Sequence, residues 1–317
     1  MYGVPQGSVS GPVLFTLYCA PLEDILNKHG ISYVMYADDT QVYITCKKDG
    51  QSKQIIEACI DDIRDWMQVN KLALNDKKTE VIHLHSKFDK NHENIPYLRV
   101  GVDKIVPSSS VRNLGFQFDD VILGHDQVSN ICKSASFALH RIGRIRNVLD
   151  RRTTEQLIHA FITSRLDYCN SLYVHLPKTL TDRFQRIQNS AARMVTLSRK
   201  HEHITPILEK LHWLPVVHRI DFKVLMLTHK CLHDQAPAYL TDLLSFSNTG
   251  VNTRRQTKAP LVEPRFKQEH YGQRAFSVAA PRLWNALPLP LRSISSPTTF
   301  KSNLKTYLFR KAYPHAQ

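Results

Sequence analysis

The apolar pattern of the chain changes near Gly124, and this change constrains the fold more than any other feature of the sequence. Before Gly124, short β-rich runs alternate with runs of helical periodicity. After it, apolar residues recur at helical spacing and strand signals nearly vanish. The pattern predicts an α+β domain followed by a mainly α-helical region. We expect three segments, 1–124, 125–245 and 246–317.

The first segment is expected to form an antiparallel sheet with helices packed on it. Ser10-Gly11-Pro12 is typical of a helix start, with Ser10 as the N-cap, and the apolar run after it predicts a helix from Val13 to Leu26. Further patterns predict a helix over 52–69 and strands at Ile31–Tyr36, Gln41–Thr45, Thr79–His83, Tyr97–Val106 and Val111–Phe118.

The rest of the chain is predicted to be helical, with one irregular stretch. The residues 246–282 are polar, basic and poor in periodicity, which indicates a long loop or a partly disordered segment. Helical periodicity covers 126–149, 153–173, 179–197, 203–213, 216–233 and a last run near 298–313.

The excess of positive over negative charge is confined to the second part of the chain. The net charge is +14, yet residues 1–124 hold 13 Lys/Arg against 16 Asp/Glu, whereas residues 125–317 hold 29 against 12. Such asymmetry favours a polyanion-binding region, and nucleic acid is the preferred partner, although charge alone also allows an acidic membrane or protein. Arginines expected on exposed helix faces include Arg141, Arg144, Arg146, Arg183, Arg186 and Arg193.

Nothing in the sequence indicates a membrane or secretory protein. No apolar run approaches the length of a bilayer-spanning helix, and the first residues lack a basic region followed by an apolar stretch. The six cysteines are scattered, without a Cys-x-x-Cys pair. We expect an intracellular protein, in nucleus or cytoplasm, with reduced cysteines.

Asp38 and Asp39 are the residues whose chemistry is most informative. They lie between two predicted strands, at the bend of a hairpin, where adjacent carboxylates repel each other unless a cation is near. Hard divalent ions such as Mg²⁺ bind carboxylate oxygens and substrate phosphates. An isolated Asp-Asp pair is also compatible with a solvated turn.

A glycine-rich loop, Gly3-Val4-Pro5-Gln6-Gly7-Ser8, precedes the hairpin by about thirty residues and runs directly into a helix start. Glycines allow the backbone to approach a phosphate or base closely, and the N-terminus of a helix favours anions. In this context we favour a cation-binding pair of aspartates over a solvated turn.

These two motifs resemble motifs B and C of the reverse transcriptases of non-LTR (LINE-type, Jockey/CR1-like) retrotransposons. Two more segments resemble motifs D and E in the correct order: Leu74-Asn75-Asp76-Lys77-Lys78-Thr79-Glu80 and Val111-Arg112-Asn113-Leu114-Gly115-Phe116. Two later segments resemble the region that follows the polymerase in such elements: 165–170 and 280–288. The resemblance implies a partial polymerase palm over 1–124, a basic helical thumb or connection over 125–245, and a basic loop with a C-terminal helical segment over 246–317.

The resemblance also implies catalytic roles. Asp38 would bind Mg²⁺ or Mn²⁺ with Asp39 in support, and Gln6 and Gly7 would line the nucleotide and template side of the pocket. Tyr36 would pack beside the primer end, although a core tyrosine accounts for it equally well.

Two further roles concern the nucleotide and the primer. Lys78 would approach the incoming triphosphate, although an exposed loop lysine accounts for it equally well, and Leu114 and Gly115 would belong to the primer grip. The implied partners are an RNA template, a DNA primer and deoxynucleoside triphosphates, with no membrane.

One departure from the family pattern lowers the expected activity. The third metal-binding aspartate of the family, in motif A, and the fingers would lie upstream of Gly3, and the chain begins two residues before it. We therefore expect little or no polymerase activity from this chain alone. The alternatives are a non-catalytic nucleic-acid-binding remnant of a transposable element, and a transposon fragment without function.

Overall fold

The structure is a computed structural model of the chain, and it consists of helices and short antiparallel strands. It describes residues 7–46, 50–87, 96–247, 259–267 and 269–314. This mixture confirms the α+β prediction. No helix of the described residues is both long and apolar enough to cross a bilayer.

The chain divides into two compact units. The first comprises Met1–Asn113 with Asp119–Val121, and the second comprises Leu114–Phe118 with Ile122–Gln317. Each unit is described by itself below.

The first unit begins with two helices where the sequence predicts one. Its elements are α1 (Gly11–Cys19), α2 (Leu22–Lys28), β1 (Ser32–Tyr36), β2 (Asp39–Tyr43), α3 (Gln51–Val69), β3 (Leu98–Val100), β4 (Asp103–Ile105) and β5 (Ser110–Asn113). Pro21 ends the first helix, because proline cannot donate the backbone hydrogen bond that would continue it. Ser10 is the N-cap residue, as predicted, but its side chain makes no capping bond; Ser8 Oγ accepts instead from the Gly11 N–H at 2.9 Å.

The strands of this unit form two-stranded ribbons. In the first ribbon, β1 pairs antiparallel with β2 and Tyr36 lies opposite Asp39; in the second, β3 pairs antiparallel with β4. The predicted strand Thr79–His83 is not formed, and only Ile82 makes an isolated bridge to Ser108. The expected sheet is therefore broken into small pieces among the described residues.

Helix α3 holds both ribbons in place. Its buried residues Cys59 and Ile63 lie in a cluster with the partly buried Tyr33, Met35 and Val42 of the first ribbon. The next residue, Ile60, points in a different direction and packs with the second ribbon in a separate cluster with Leu98 and Val100. Two adjacent stripes of one amphipathic helix thus anchor the two ribbons.

The second unit is helical, as predicted. Its elements are β6 (Phe116–Asp119, which crosses the division between the units), α4 (His125–Ile145), α5 (Arg151–Ile158), α6 (Ser164–Asp167), α7 (Lys178–Thr196), α8 (Ile204–Lys210), α9 (Val216–Cys231), α10 (Ala238–Thr241), α11 (Glu269–Gly272), α12 (Phe276–Asn285), α13 (Leu289–Arg292) and α14 (Pro297–Ala312). A π-helical segment, His159–Thr163, joins α5 to α6. The prediction of an irregular stretch over 246–282 is wrong for α11 and for the first seven residues of α12. Residues 248–258 and 268 of that stretch lie outside the described part.

Two apolar clusters stabilise this unit. The larger is formed chiefly by α4, α7 and α9 and includes the buried Tyr173 and Phe184, whose rings lie 5.0 Å apart. The smaller joins α9, α12 and α14 around the buried Trp284 and Phe300, whose rings lie 5.6 Å apart. Helix α9 contributes to both clusters, so the two cores are continuous through one helix.

A buried histidine lies beside the smaller cluster. The His229 ring is stacked between His233 at 4.1 Å and Phe300 at 4.2 Å, and its Nε2 donates to the Ile294 carbonyl at 2.8 Å. Its Nδ1 has no hydrogen-bond partner among the described residues. Burial lowers the pKa of His229, because the charged ring would lose its hydration, and the nearby His233 lowers it further.

This histidine makes the second unit sensitive to acid. As pH falls through about 6.5 the unfolded chain takes up a proton at residue 229 more readily than the folded chain, so stability falls as pH falls, by at most about 1.4 kcal/mol per pH unit from this group. We expect His229→Gln to unfold at lower denaturant at pH 7 but to lose less stability between pH 6.5 and 5. Urea unfolding at several pH values measures this. His201→Gln, at an exposed histidine, is the control. Equal slopes for the wild type and the His229 variant would contradict the assignment.

Candidate functional site

The two aspartates lie at the tip of the first ribbon. Ala37 and Asp38 form a two-residue turn, and Asp39 is the first residue of β2, so the turn is tighter than the four-residue bend that the sequence predicts. Both aspartates are exposed. Ala37 has φ 54°, in the left-handed region. A positive φ at the first turn position matches the right-handed twist of the flanking strands, and glycine usually supplies it.

Only one face of this ribbon is available to a ligand. Tyr33, Met35 and Val42 point toward α3, whereas Tyr36 and Asp39 lie on the opposite face, as the alternation of a strand requires. Tyr36 is 65% exposed, so its side chain is not part of the core. This exposure removes the alternative that Tyr36 is a core tyrosine.

A side-chain contact joins the outer face of the ribbon to β5. Asn113 Nδ2 donates to Gln41 Oε1 at 2.6 Å. Gln41 is two residues beyond Asp39 on the same face, and Asn113 directly precedes Leu114. The end of the predicted motif E therefore contacts the strand that carries Asp39.

The Leu114–Gly115 turn has an unusual backbone. Both residues have positive φ, 45° and 83°, which is the conformation of a type I′ turn. The Tyr168 hydroxyl donates to the Leu114 carbonyl, and a Cβ at Gly115 would lie 3.4 Å from that hydroxyl. Tyr168 thus fixes the turn. The sequence does not indicate this role, because Tyr168 lies 54 positions after Leu114.

The residues after the turn are attached to the helical unit by a buried amide. Gln127 of α4 accepts from the Gln117 N–H at 2.9 Å and donates to the Tyr173 hydroxyl at 3.0 Å. Phe116 packs in the same core as Tyr173. Burial raises the pKa of Tyr173 to about 12, so the phenol stays neutral and this contact persists at physiological pH.

The other predicted site residues lie on separate elements. Lys78 is exposed at the end of a 3₁₀ turn, Asp76–Lys78, which follows α3. Gly7 has φ +88° with open space around its Cα, as expected of a loop glycine. Gln6 lies outside the described residues.

The donor atoms of the turn suit a hard divalent ion. Mg²⁺ binds one or two carboxylates and completes its coordination with water and substrate phosphates, and Asp38 and Asp39 offer such a pair on a rigid hairpin. No group of three or more acidic, histidine or cysteine side chains is placed to hold a metal within the described ranges. The residues present fit a weak magnesium site that substrate would complete.

An exposed basic stripe runs along α4. Lys133, Phe137, Arg141 and Arg144 lie on the face opposite the buried Val128, Ile131 and Ala135. Phe137 is 64% exposed, and the guanidinium of Arg141 lies 5.8 Å from the centre of its ring. No Asp or Glu occurs from Gln127 to Leu149, so the stripe carries no acidic residue of its own.

Three of the arginines expected on exposed faces are instead structural. Arg146 is 8% exposed and donates to the carbonyls of Met194, Val195 and Leu149. It caps the C-terminus of α7, where a cation is favourable. Arg183 and Arg193 are half-buried, and donate to Ser129 and to the Glu202 carbonyl.

The segments that resemble the region after the polymerase are also structural. Asp167 forms a two-bond ion pair with Arg219 of α9, and Tyr168 fixes the Leu114 carbonyl. Trp284 is the centre of the smaller core, and Asn285 holds both backbone groups of Leu261, at 2.8 and 2.9 Å. These motifs hold helices together.

Comparison with known proteins identifies the class. Residues 1–118 match a family model described as reverse transcriptase (RNA-dependent DNA polymerase). This first segment of the chain is therefore similar to reverse transcriptases.

A relative gives a more particular likeness. The chain is similar to the retrovirus-related Pol polyprotein from type-1 retrotransposable element R1 of Nasonia vitripennis, 26% identical over 152 residues, which are 46% of this chain and 43% of that protein. Together the two matches confirm the resemblance to non-LTR retrotransposon reverse transcriptases. The chain spans less than half the length of this relative. No solved structure matches.

The positive φ of Ala37 leads to a testable prediction. We expect Ala37→Gly to stabilise the first ribbon by about 0.5–1 kcal/mol, because glycine adopts positive φ without the clash that alanine suffers. Hydrogen exchange of the β1 and β2 amides in the full chain measures this. Ala58→Gly, at an exposed position inside α3, is the control and is expected to destabilise by about 1 kcal/mol. A loss of protection in both variants would show that Ala37 is not strained.

Proposed function

We propose that the chain supplies the metal-binding, nucleotide-binding and primer-binding parts of an RNA-directed DNA polymerase, with the first unit as a partial palm and the second as a helical thumb and C-terminal region. The observation that carries this proposal is the exposed Asp38–Asp39 turn, on a ribbon within the segment that matches reverse transcriptases. RNA template, DNA primer and deoxynucleoside triphosphates are the partners in this proposal, inside the cell.

In this proposal Asp38 binds Mg²⁺ or Mn²⁺ and Asp39 assists it. The bound ion would supply a Lewis acid for the primer 3′-hydroxyl and the pyrophosphate leaving group. Tyr36 contacts the primer end in this proposal, which its exposed position opposite Asp39 supports. Gln6 and Gly7 line the nucleotide and template side, and Lys78 contacts the triphosphate as a positive charge or proton donor.

The second unit would hold the nucleic acid. Leu114 and Gly115 form the primer grip in this proposal, and their turn is fixed by Tyr168. The stripe on α4 spans about 16 Å from Lys133 to Arg144, at the helical rise of about 1.5 Å per residue. Its three cations suit backbone phosphates, and the exposed Phe137 ring suits stacking on a base.

One observation favours a non-catalytic variant of this function. The described residues present two carboxylates at the turn, not a group of three, whereas the basic stripe needs no further element to bind nucleic acid. A nucleic-acid-binding remnant is therefore the second candidate. The two candidates differ in whether deoxynucleotides are incorporated.

Primer extension and metal binding test the catalytic proposal together. We expect little or no extension of oligo(dT) on poly(rA) by the chain alone, but weak Mn²⁺ binding that falls about tenfold in Asp38→Ala/Asp39→Ala. Paramagnetic resonance of free Mn²⁺ measures the binding. Asp61→Ala/Asp62→Ala is the matched control, because this adjacent pair on α3 is already bound by Arg99, Lys28 and His29.

Two results would change these conclusions. Extension that vanishes in the Asp38/Asp39 variant would show that the turn works with two carboxylates, so the expectation of inactivity would be wrong. Mn²⁺ binding that falls equally in both double variants would remove the metal site.

Nucleic-acid binding by α4 is tested by salt dependence. We expect Lys133→Gln/Arg141→Gln/Arg144→Gln to weaken binding of single-stranded RNA and to reduce the slope of log K against log salt by about 2. Phe137→Ala should weaken binding about tenfold and leave the slope unchanged, because stacking releases no counterions. The control removes the same charge from exposed positions of α14: Lys301→Gln/Arg310→Gln/Lys311→Gln. An equal effect of the control would show that net charge matters and the stripe does not.

A further inference from the structure

The turn that carries Lys78 has few bonds of its own. It is a single 3₁₀ turn, and its backbone bonds are Lys78 N–H to the Asn75 carbonyl at 3.0 Å and Thr79 N–H to the Asp76 carbonyl at 3.1 Å. A turn this short cannot fix its own orientation. The direction of Lys78 must therefore be set by contacts with the rest of the first unit.

Apolar contacts hold the turn on both sides. Leu74 before it and Val81 after it are partly buried against the cluster of Ile60, Leu98 and Val100. These contacts fix the two ends of the segment, seven residues apart, but leave the turn between them free to rotate. A further contact is needed at the turn itself.

That contact is an ion pair with α3. Arg64 Nη2 donates to Asp76 Oδ1 at 2.6 Å, and the two side chains are 30% and 21% exposed. The bond to Asp76 raises the pKa of Arg64, so the guanidinium stays charged at every physiological pH. Asp76 is the first residue of the turn and Lys78 is the last.

The guanidinium of Arg64 packs against the turn between β3 and β4. Gly101 has φ +61°, and a Cβ at this position would lie 2.6 Å from Arg64 Nη2 and 2.7 Å from Arg64 Cζ. Any other residue at 101 would displace the guanidinium. Glycine is therefore required at position 101 for two reasons: it adopts a positive φ without strain, and its missing Cβ leaves room for the Arg64 guanidinium.

We infer that Arg64, packed on Gly101 and paired with Asp76, is a positioning residue that orients Lys78 toward the phosphates of an incoming deoxynucleoside triphosphate. This inference rests on the proposed function of Lys78. Arg64 does not touch the nucleotide; it acts through the turn.

The experiment uses four variants of the full chain. Arg64→Gln removes the ion pair and Gly101→Ala displaces it. Arg99→Gln is the control for the first, because it removes another arginine–aspartate pair from α3, Arg99–Asp61 at 2.7 Å, that does not reach the turn. Gly30→Ala is the control for the second, because Gly30 has φ +63° with nothing within 4 Å of a Cβ, so it carries the same backbone strain without a clash.

Two readouts separate positioning from stability. Hydrogen exchange reports the mobility of the amides of Lys78 and Thr79. Labelling with pyridoxal 5′-phosphate and borohydride, read by mass spectrometry, reports how well dTTP with Mg²⁺ protects Lys78, and Lys77 on the same turn is the internal reference. We expect Arg64→Gln and Gly101→Ala to speed exchange and to raise the dTTP concentration for half-protection about tenfold, the effect of losing one charge-assisted contact. The two controls should match the wild type.

The experiment distinguishes a failure of the proposed contact between Lys78 and the nucleotide from a failure of the proposed role of Arg64. If dTTP does not protect Lys78 in the wild type, the proposed nucleotide contact is wrong, whatever the variants do. If protection in the wild type persists unchanged in Arg64→Gln and Gly101→Ala, the nucleotide contact stands and the role of Arg64 is wrong. If exchange were as fast in Arg99→Gln as in Arg64→Gln, the role of Arg64 would also be wrong. Loss of any ion pair on α3 would then be enough to mobilise the Lys78 turn.

Discussion

The first unit depends on the packing of its two ribbons against α3. A two-stranded ribbon is at best marginally stable in water, so each ribbon here takes its stability from the helix. Cys59 and Ile63 hold the ribbon of Asp38 and Asp39, and Ile60 holds the ribbon of Gly101. Arg64, on the next turn of the same helix, holds Asp76. One helix therefore sets the positions of three elements that the proposed chemistry needs.

This arrangement links stability to the candidate site. A cavity created at Ile63 would loosen the ribbon of the two aspartates, and one at Ile60 would loosen the ribbon that backs Arg64. In the proposed function, cavity-forming substitutions at Ile60 or Ile63 would thus alter metal and nucleotide binding without touching either ligand.

The sequence predicts the position of the two aspartates in the fold better than it predicts the contacts that support the candidate site. Alternating apolar runs suffice to place Asp38 and Asp39 at a hairpin, because local periodicity determines a ribbon. The contacts of Arg64 with Asp76 and of Tyr168 with Leu114 join residues 12 and 54 positions apart, and no local pattern indicates them. For the same reason the sequence wrongly predicts Arg146 on the surface, because the carbonyls that it contacts belong to the end of another helix. Helix α12 is a different case, because a local pattern does indicate it. Phe276, Ala280 and Trp284 follow helical spacing, but the basic residues around them make the stretch resemble a loop.

The two units also differ in the charge that they present and in the size of their apolar cores. The first unit presents carboxylates on a small ribbon, which suits a cation and a triphosphate. The second presents a cationic face on α4 that carries no acidic residue of its own, which suits a polyanion. Its core is larger and joined through α9, so it can hold Phe137 and Arg141 on a rigid support without help from the ribbon. Nucleic-acid binding therefore requires fewer conditions than catalysis, because it needs one intact helix face, whereas catalysis needs the aspartate turn, the Lys78 turn and α3 in correct register at the same time.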